Sequence, residues 1–260
     1  MEKITSIKND RIKKWRKLAT KKGREASGSY LVEGIHLIEE AIFAKQTIKA
    51  LIVREDTKIP TNWNVDMLAK FSVTPQVADA LAETNSTQGI FAEIEMIESH
   101  SNIDDMNFVL IMDEVQDPGN IGTIIRTADA AGYDTVVLGK GSGDMYNPKV
   151  VRATQGSLYH INVLAGVDLT TFIPAIQAAE IPVFGALLDA KAKRHYQIEP
   201  LERVALVVGN EAQGINPEVM ALLDEKIYIP IYGKSESLNV GVATGILAYH
   251  LADHNDREQG

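Results

Sequence analysis

The polar chemistry of this chain is concentrated in three glycine-bearing stretches, each directly following a short apolar run. The first, residues 113–132, carries Pro118, Gly119, Asn120 and Gly122 in a turn and Arg126 on the helix that follows. The second, 209–215, sets Gly209, Asn210 and Glu211 ahead of Gly214. The third, 229–249, holds Ser237, Leu238 and Asn239. One glycine-rich turn at a strand end says little, because glycine relieves the steric limits of any tight turn. Three in one region, each pairing Asn with Arg, Glu or Ser, supply donors, acceptors and a permanent positive charge. Such a set suits the orientation of a polar ligand better than packing.

Other chemistries fall away. The chain has no cysteine, which excludes disulfides, thiolate metal sites and cysteine nucleophiles. The Gly139–Gly143 stretch lacks the spacing of a phosphate-binding P-loop and reads as a plain loop. His250 and His254 lie four apart on the last helix but have no third ligand spaced to complete a metal site, so no metal is expected.

The elements that must position the three stretches follow from the apolar pattern. Short apolar runs at Phe108–Asp113, Thr135–Leu138, Ile161–Val163, Val183–Ala186, Val204–Val208 and Lys226–Ile229 predict buried parallel strands. Helices are predicted at 121–131, 148–154, 169–178, 217–222 and 238–252. Strands alternating with helices imply a ligand crevice at the strand carboxyl ends. A smaller α/β unit precedes them: a basic helix over 6–20, a loop at 21–29 by its Gly and Ser content, strands at 30–32, 48–53 and 89–94, and helices at 34–44 and 76–82. The reading is therefore two α/β domains, 1–94 and 108–252, joined by a polar linker at 95–107, with a tail at 253–260.

Charge is unevenly spread. The net charge of −9 argues against a nucleic-acid partner, yet residues 1–24 contain ten Lys or Arg and two acids, for a local +8. Lys13, Lys14, Arg16, Lys17, Lys21, Lys22 and Arg24 predict a phosphate-contacting arm, since each cation placed on a phosphate releases condensed counterions. No apolar core of about 7–15 residues follows these charges as in a signal peptide, and no apolar run approaches the roughly 20 residues of a membrane span. A cytoplasmic protein is expected.

Taken together, Asn120 with Arg126, Gly209–Asn210–Glu211 with Gly214, and Ser237–Leu238–Asn239–Val240 resemble the three motifs of the SpoU (TrmH) family of RNA ribose 2′-O-methyltransferases, in the SPOUT superfamily. The likeness covers 108–252. Residues 1–94, through the runs at 33–41 and 87–92, resemble the L30e-like substrate-binding domain that precedes the catalytic domain in many members. The resemblance implies S-adenosylmethionine as cofactor, a deep C-terminal trefoil knot that holds it bent, and cofactor contacts at Gly209, Asn210, Ile229 and Leu238. Glycine at 209 is read as letting backbone approach the adenine. A homodimer through the knotted domain is also implied, with an active site drawing on both chains.

For catalysis the resemblance implies that Arg126 removes the hydroxyl proton. Guanidinium chemistry favours instead stabilisation of the developing alkoxide or clamping of the adjacent phosphate, because Arg stays protonated in proteins. Asn120, Glu211, Ser237 and Asn239 are expected to hold Arg126 and the ribose. Arg152 lies in a segment that the family uses near its substrate and is divided between RNA contact and structure. Gly241 stands where many relatives have serine, a small-for-small change. The full N-terminal domain favours ribosomal RNA, 23S, over transfer RNA. A transfer-RNA methyltransferase, base-nitrogen methylation and a non-catalytic RNA-binding or ribosome-assembly factor are the competing readings. Pyrimidine C5 methylation through a cysteine adduct is excluded.

Overall fold

The computed structural model describes residues 1–83, 86–97, 99, 102–187, 189 and 191–252. The expected tail at 253–260, with His254, and residues 98, 100 and 101 of the expected linker lie outside them. The chain forms two compact units, Met1–Glu98 with Tyr146–His160, and Ser99–Met145 with Ile161–Gly260. The linker expected at 95–107 is thus divided between them, and a segment assigned from sequence to the second domain belongs to the first unit.

The first unit opens with β1 (Glu2–Ile4), α1 (Asp10–Lys17) and α2 (Lys21–Ser27). Asn9 caps α1 by accepting from the Arg11 N–H, and α1 buries Ile12 and Trp15. The loop expected at 21–29 is instead this second helix. Thr20 caps it at the Gly23 N–H, and Gly28 ends it at φ 57°. Gly23, which suggested a loop, is a packing glycine: a Cβ there would lie 2.0 Å from the Lys17 carbonyl oxygen at the end of α1.

β2 (Ser29–Glu33), α3 (Ile35–Phe43), β3 (Ile48–Arg54), β4 (Lys70–Val73), α4 (Pro75–Leu81) and β5 (Ile90–Glu95) follow. The mixed sheet runs β1-β4-β3-β5-β2. β1 and β4 were not expected; they pair in parallel at one edge, three residues long, too short for alternation to register. Ile12, Trp15 and Leu18 pack on Ile52, Phe71, Val77 and Phe91.

The second unit contains β6 (Phe108–Asp113), α5 (Pro118–Ala130) and β7 (Thr135–Gly139). The chain then contributes α6 (Pro148–Thr154) to the first unit. It resumes with β8 (Asn162–Val167), α7 (Leu169–Ala178), β9 (Val183–Ala186), the two-residue β10 (Lys193–Arg194), β11 (Val204–Gly209), α8 (Pro217–Met220), β12 (Glu225–Tyr228) and α9 (Val240–Leu251). Seven parallel strands lie in the order β10-β12-β9-β11-β6-β7-β8. Val109, Ile111, Val137, Ala205 and Val207 of the central strands pack with Ile173 and Ile176 of α7. Helix α5 starts three residues earlier than expected because Asp117 caps it and Pro118 occupies the first helical position, where its missing N–H costs nothing. Arg126 consequently falls in the third turn rather than the second.

Candidate active site

Strands β6 and β11 are neighbours, and their carboxyl ends are in register, Asp113 beside Gly209. From this pair the sheet continues through β7 and β8 on one side and β9 and β12 on the other, the arrangement that opens a crevice in a parallel sheet. The loops leaving β6, β11 and β12 carry the three polar stretches.

Side chains from all three stretches meet. Asn120 Nδ2 donates to Glu211 Oε1 at 2.9 Å, and Asn239 Nδ2 donates to Asn120 Oδ1 at 2.9 Å. The backbone N–H groups of Asp117 and Gln116 also approach the Glu211 carboxylate, at 3.3 and 3.5 Å. Asn239 Oδ1 accepts from the Gly241 and Val242 N–H groups and so caps α9. An ionised carboxylate only accepts, so Glu211 fixes the amide orientation of Asn120, which in turn fixes that of Asn239. Burial works to raise the Glu211 carboxyl, but the hydrogen bonds from Asn120 and the backbone outweigh it and hold it below its ordinary value. The carboxylate is therefore charged at neutral pH.

A second layer supports this relay. Asn210 Nδ2 donates to the Glu114 carbonyl, while its Oδ1 accepts from the Ala212 and Gln213 N–H groups. Glu114 adopts φ 54°, a left-handed conformation uncommon outside glycine. Asn210 and Gly214 form an antiparallel bridge that closes the turn. Gly209 has a role within the turn besides the one expected of it. A Cβ there would lie 2.3 Å from the Gly214 carbonyl carbon and 2.4 Å from the Ile215 nitrogen, so the turn itself requires glycine.

These loops wall an open cleft of about 750 Å³, within the roughly 300–1,000 Å³ of small-molecule sites. Gly209, Asn210, Ile229 and Leu238 all line it, with Glu211, Ser237 and Asn239. Residues 107–249 match the model of the SpoU rRNA Methylase family. The chain belongs to the SpoU rRNA methylase family. Residues 9–92 match the MRM3-like substrate binding domain. The activity is S-adenosylmethionine-dependent methyl transfer to an RNA ribose 2′-hydroxyl.

Among SpoU relatives, the chain is 40% identical to the 23S rRNA (guanosine(2553)-2′-O)-methyltransferase RlmP of Bacillus subtilis (strain 168), over 96% of this chain and 99% of that protein. An AdoMet-bound rRNA methyltransferase from Sinorhizobium meliloti superposes with TM-score 0.87 at 28% identity, covering 99% of both chains. The SpoU methyltransferase AviRb from Streptomyces viridochromogenes, in complex with AdoMet, superposes with TM-score 0.83 at 25% identity, covering 94% of this chain and 97% of that one.

The cleft of this SpoU chain suits the cofactor on its own chemistry. Ile227, Ile229, Leu238 and Leu247 offer apolar surface to an adenosyl group, and Glu211 and Glu236 face the same space as counter-charges to a sulfonium. Two sequence-named residues stand apart. Arg126 sits six residues beyond Asn120, about 9 Å along the helix axis, on the exposed face of α5 with no side-chain hydrogen bond or ion pair among the described residues. Arg152 belongs to the first unit and lines a cavity there with Arg16.

Among the basic residues named from the sequence, Arg24 is a correction. It is 3% exposed and donates to the Leu18 carbonyl at 2.7 Å, so it joins α2 to α1 and is not a surface contact. Lys13 and Lys14 pair with Asp10 and Glu93, and Lys21 lies 3.9 Å from Glu25. Arg16, Lys17 and Lys22 are exposed and make no ion pair among the described residues.

Sequence reasoning overlooked Asp117, which caps α5 at the Asn120 N–H and was signalled by the Asp-Pro step. It also overlooked Asp113, which accepts from the Asn216 N–H at 2.6 Å; burial raises its carboxyl, the Asn216 bond opposes this and the Glu114 charge adds to it. Elsewhere, Lys140 of the 139–143 loop pairs with Asp168. Nε2 of His250 lies 2.8 Å from the Ile198 carbonyl, and no metal-binding cluster occurs among the described residues. No helix among them is long and apolar enough to cross a membrane.

Proposed function

We propose that the substrate is 23S ribosomal RNA and that the methylated group is a guanosine ribose, as the name of the Bacillus subtilis relative states for that protein. The observation that carries this is kinship across nearly the whole length of both chains, substrate-binding unit included. Such a substrate implies a cytoplasmic location. The domain assignment that accompanies it makes the first unit, Met1–Glu98 with Tyr146–His160, the RNA-binding one and the second unit the catalytic one, with the C-terminal segment forming the knot known from the SPOUT superfamily.

S-adenosylmethionine supplies an electrophilic methyl group when bound. The protein must align the hydroxyl and accommodate the loss of its proton. In this reading Arg126 stabilises the developing alkoxide or the neighbouring phosphate, acting as a fixed charge. Asn120, Glu211 and Asn239 hold the cleft in register, and Ser237 contributes from its wall. Arg16 contacts RNA and Lys17 and Lys22 contact phosphates; Lys13 and Lys21 contribute after exchanging their exposed carboxylate partners, whereas Lys14 stays on the buried Glu93.

A homodimer completes the proposal. Helix α9 is apolar nearly all round, and an all-apolar helix is normally covered. Val242, Ile246 and Tyr249, spaced to share one face, are 53%, 40% and 59% exposed. That face, beside the exposed side of α5 that carries Arg126, supports a partner subunit seated over the active site.

Mapping of 23S ribosomal RNA for resistance to alkaline hydrolysis, with and without the gene, tests the reading. One protected guanosine is expected to be lost on deletion, restored by the wild-type gene and not by Arg126→Ala. Loss of a signal in transfer RNA instead would overturn the substrate, and full restoration by Arg126→Ala would overturn the role of the arginine.

A further inference from the structure

The first unit contains a cavity of about 210 Å³ that shares no lining residue with the cofactor cleft. Its apolar surface comes from Ala19, Leu31, Ala82 and Pro148, backed by the buried Trp15, Phe91 and Val151, and its polar groups are Arg16, Arg152, Glu33 and Glu83. The Trp15 indole N–H is given to Glu93 at 2.7 Å and its ring is 2% exposed, so it backs the cavity as a fixed apolar wall. Glu33 Oε1 accepts from the Gln88 N–H, whereas Oε2 is buried with no hydrogen-bond partner among the described residues. Neither Arg16 nor Arg152 has a side-chain partner among those residues. Arg16, named from sequence as an RNA contact, and Arg152, divided there between RNA contact and structure, lie 136 positions apart in sequence, and the fold of this unit brings them to one cavity.

The chemistry narrows the occupant. At 210 Å³ the space falls below that of sites enclosing whole small-molecule ligands, roughly 300–1,000 Å³, and is on the scale of one heterocycle. A phosphate would face two carboxylates and a cation two guanidinium groups, so neither is favoured. A neutral planar group presenting acceptors to the arginines and donors to the carboxylates fits both. Guanine does so: O6 and N7 accept, the commonest partner of Arg, and the exocyclic N2 amine donates. Single-stranded RNA is read in this way, with unstacked bases splayed out and placed against aromatic or guanidinium planes.

The geometry points to a subsite of the first unit, walled by Arg16, Arg152, Glu33 and Trp15, that holds one unstacked guanine of the RNA other than the methylated nucleotide. This rests on the reading of the chain as an RNA methyltransferase with a ribosomal substrate. It assigns the substrate-binding unit a base-reading function in addition to attraction of phosphates.

The test uses the full-length protein, labelled with nitrogen-15 and titrated with millimolar guanosine, adenosine, cytidine or uridine. Guanosine is expected to shift the Trp15 indole and the amides of Ala19, Leu31 and Ala82 saturably, about tenfold more tightly than the other nucleosides, as one paired base edge allows. Glu33→Gln and the double variant Arg16→Ala with Arg152→Ala should each abolish that preference, with the dispersion of the spectra reporting that they fold. Failure of guanosine to give a saturable shift, or equal shifts from all four nucleosides, overturns the subsite. In methylation of 23S ribosomal RNA the same variants should raise KM for RNA about tenfold and leave KM for the methyl donor unchanged. An unchanged KM for RNA in both variants overturns the subsite alone. A wild-type protein that selects guanosine but fails to methylate 23S ribosomal RNA overturns the proposed substrate and supports the subsite.

Discussion

Replacement of Glu211 by Gln is the sharpest probe of the relay that joins the three polar stretches. The carboxylate accepts from Asn120 Nδ2 and from two backbone N–H groups, and an amide of the same shape has only one oxygen with which to do so. If that oxygen keeps Asn120 and Asp117, the new amine faces the Gln116 N–H, donor against donor. The bond to Asn120 also changes from charge-assisted to neutral. Hydrogen bonds to charged groups contribute about 1.5–3 kcal/mol and neutral ones about 0.5–1.5 kcal/mol. The relay is solvent-accessible, which places the difference near the lower end, about 1 kcal/mol or roughly fivefold in rate.

Glu211→Gln should therefore lower kcat about fivefold, and Glu211→Ala should lower it further. Transfer of labelled methyl groups to 23S ribosomal RNA gives the rates, with cofactor affinity measured by calorimetry. Since Glu211 is proposed to act through Asn120, a double-mutant cycle with Asn120→Ala should show coupling well above the roughly 0.3–0.5 kcal/mol expected of independent sites. Additive effects, or a Glu211→Gln enzyme with wild-type kcat, would refute the relay as a unit.

Gly209→Ala drives a Cβ into the Gly214–Ile215 backbone and should cost about 1–3 kcal/mol, read as a lower Tm together with weaker cofactor binding. Ile246→Asp on the exposed face of α9 should convert a dimer into a particle of 28.5 kDa by light scattering, with far-UV circular dichroism unchanged; a wild-type monomer would overturn the dimer. Glu93 is held below its ordinary value because hydrogen bonds from Lys14, Trp15 and Ser29 and the Lys14 charge outweigh the opposing effect of burial. A depressed carboxyl stabilises above its unfolded pKa and loses that contribution as pH falls through the folded value, so Glu93→Gln should lower Tm at neutral pH and flatten its decline below about pH 4.5. Lys17→Ala and Lys22→Ala should each reduce the slope of log RNA affinity against log salt by roughly 0.7–0.9, and an unchanged slope would remove those residues from the interface.

What the chain reveals before folding depends on how far apart the partners lie. Elements built from local rules were legible: Phe108–Asp113, Pro148–Thr154, Leu169–Ala178 and Val183–Ala186 have the bounds that their apolar patterns and caps predict. Helix α2 was not, because the glycine in its first turn is there for the neighbouring backbone at Lys17 and not for a loop. Helix α6 was placed correctly in sequence and wrongly in space, since no local signal says that Tyr146–His160 packs with the first unit. The active-site residue types were legible as motifs, but the bond from Asn120 to Glu211 spans 91 positions and that from Asn239 to Asn120 spans 119. Only the adjacency of β6 and β11 turns those motifs into one network.

Charge shows the same dependence on context. Counted along the chain, residues 1–24 are a cationic arm; folded, they are a wall of a packed unit, with Ile12, Trp15 and Leu18 in its core. Deleting them would therefore unfold the unit as well as remove charge, and point substitutions separate the two effects. Nor are the ten cations equivalent. Arg24 is buried, and Lys14 neutralises a carboxylate that is only 4% exposed, so releasing it to a phosphate would leave a buried charge with fewer partners. Lys13 and Arg11 pair with exposed acids, and such pairs are worth so little in water that a phosphate can replace them. Long-range attraction of RNA then rests on a few exposed cations, chiefly Arg16, Lys17 and Lys22, on a protein whose net charge is −9. With so small a cationic face few counterions are released, so non-specific affinity is weak and its salt dependence shallow, and discrimination among RNAs has to come from contacts to bases and shape.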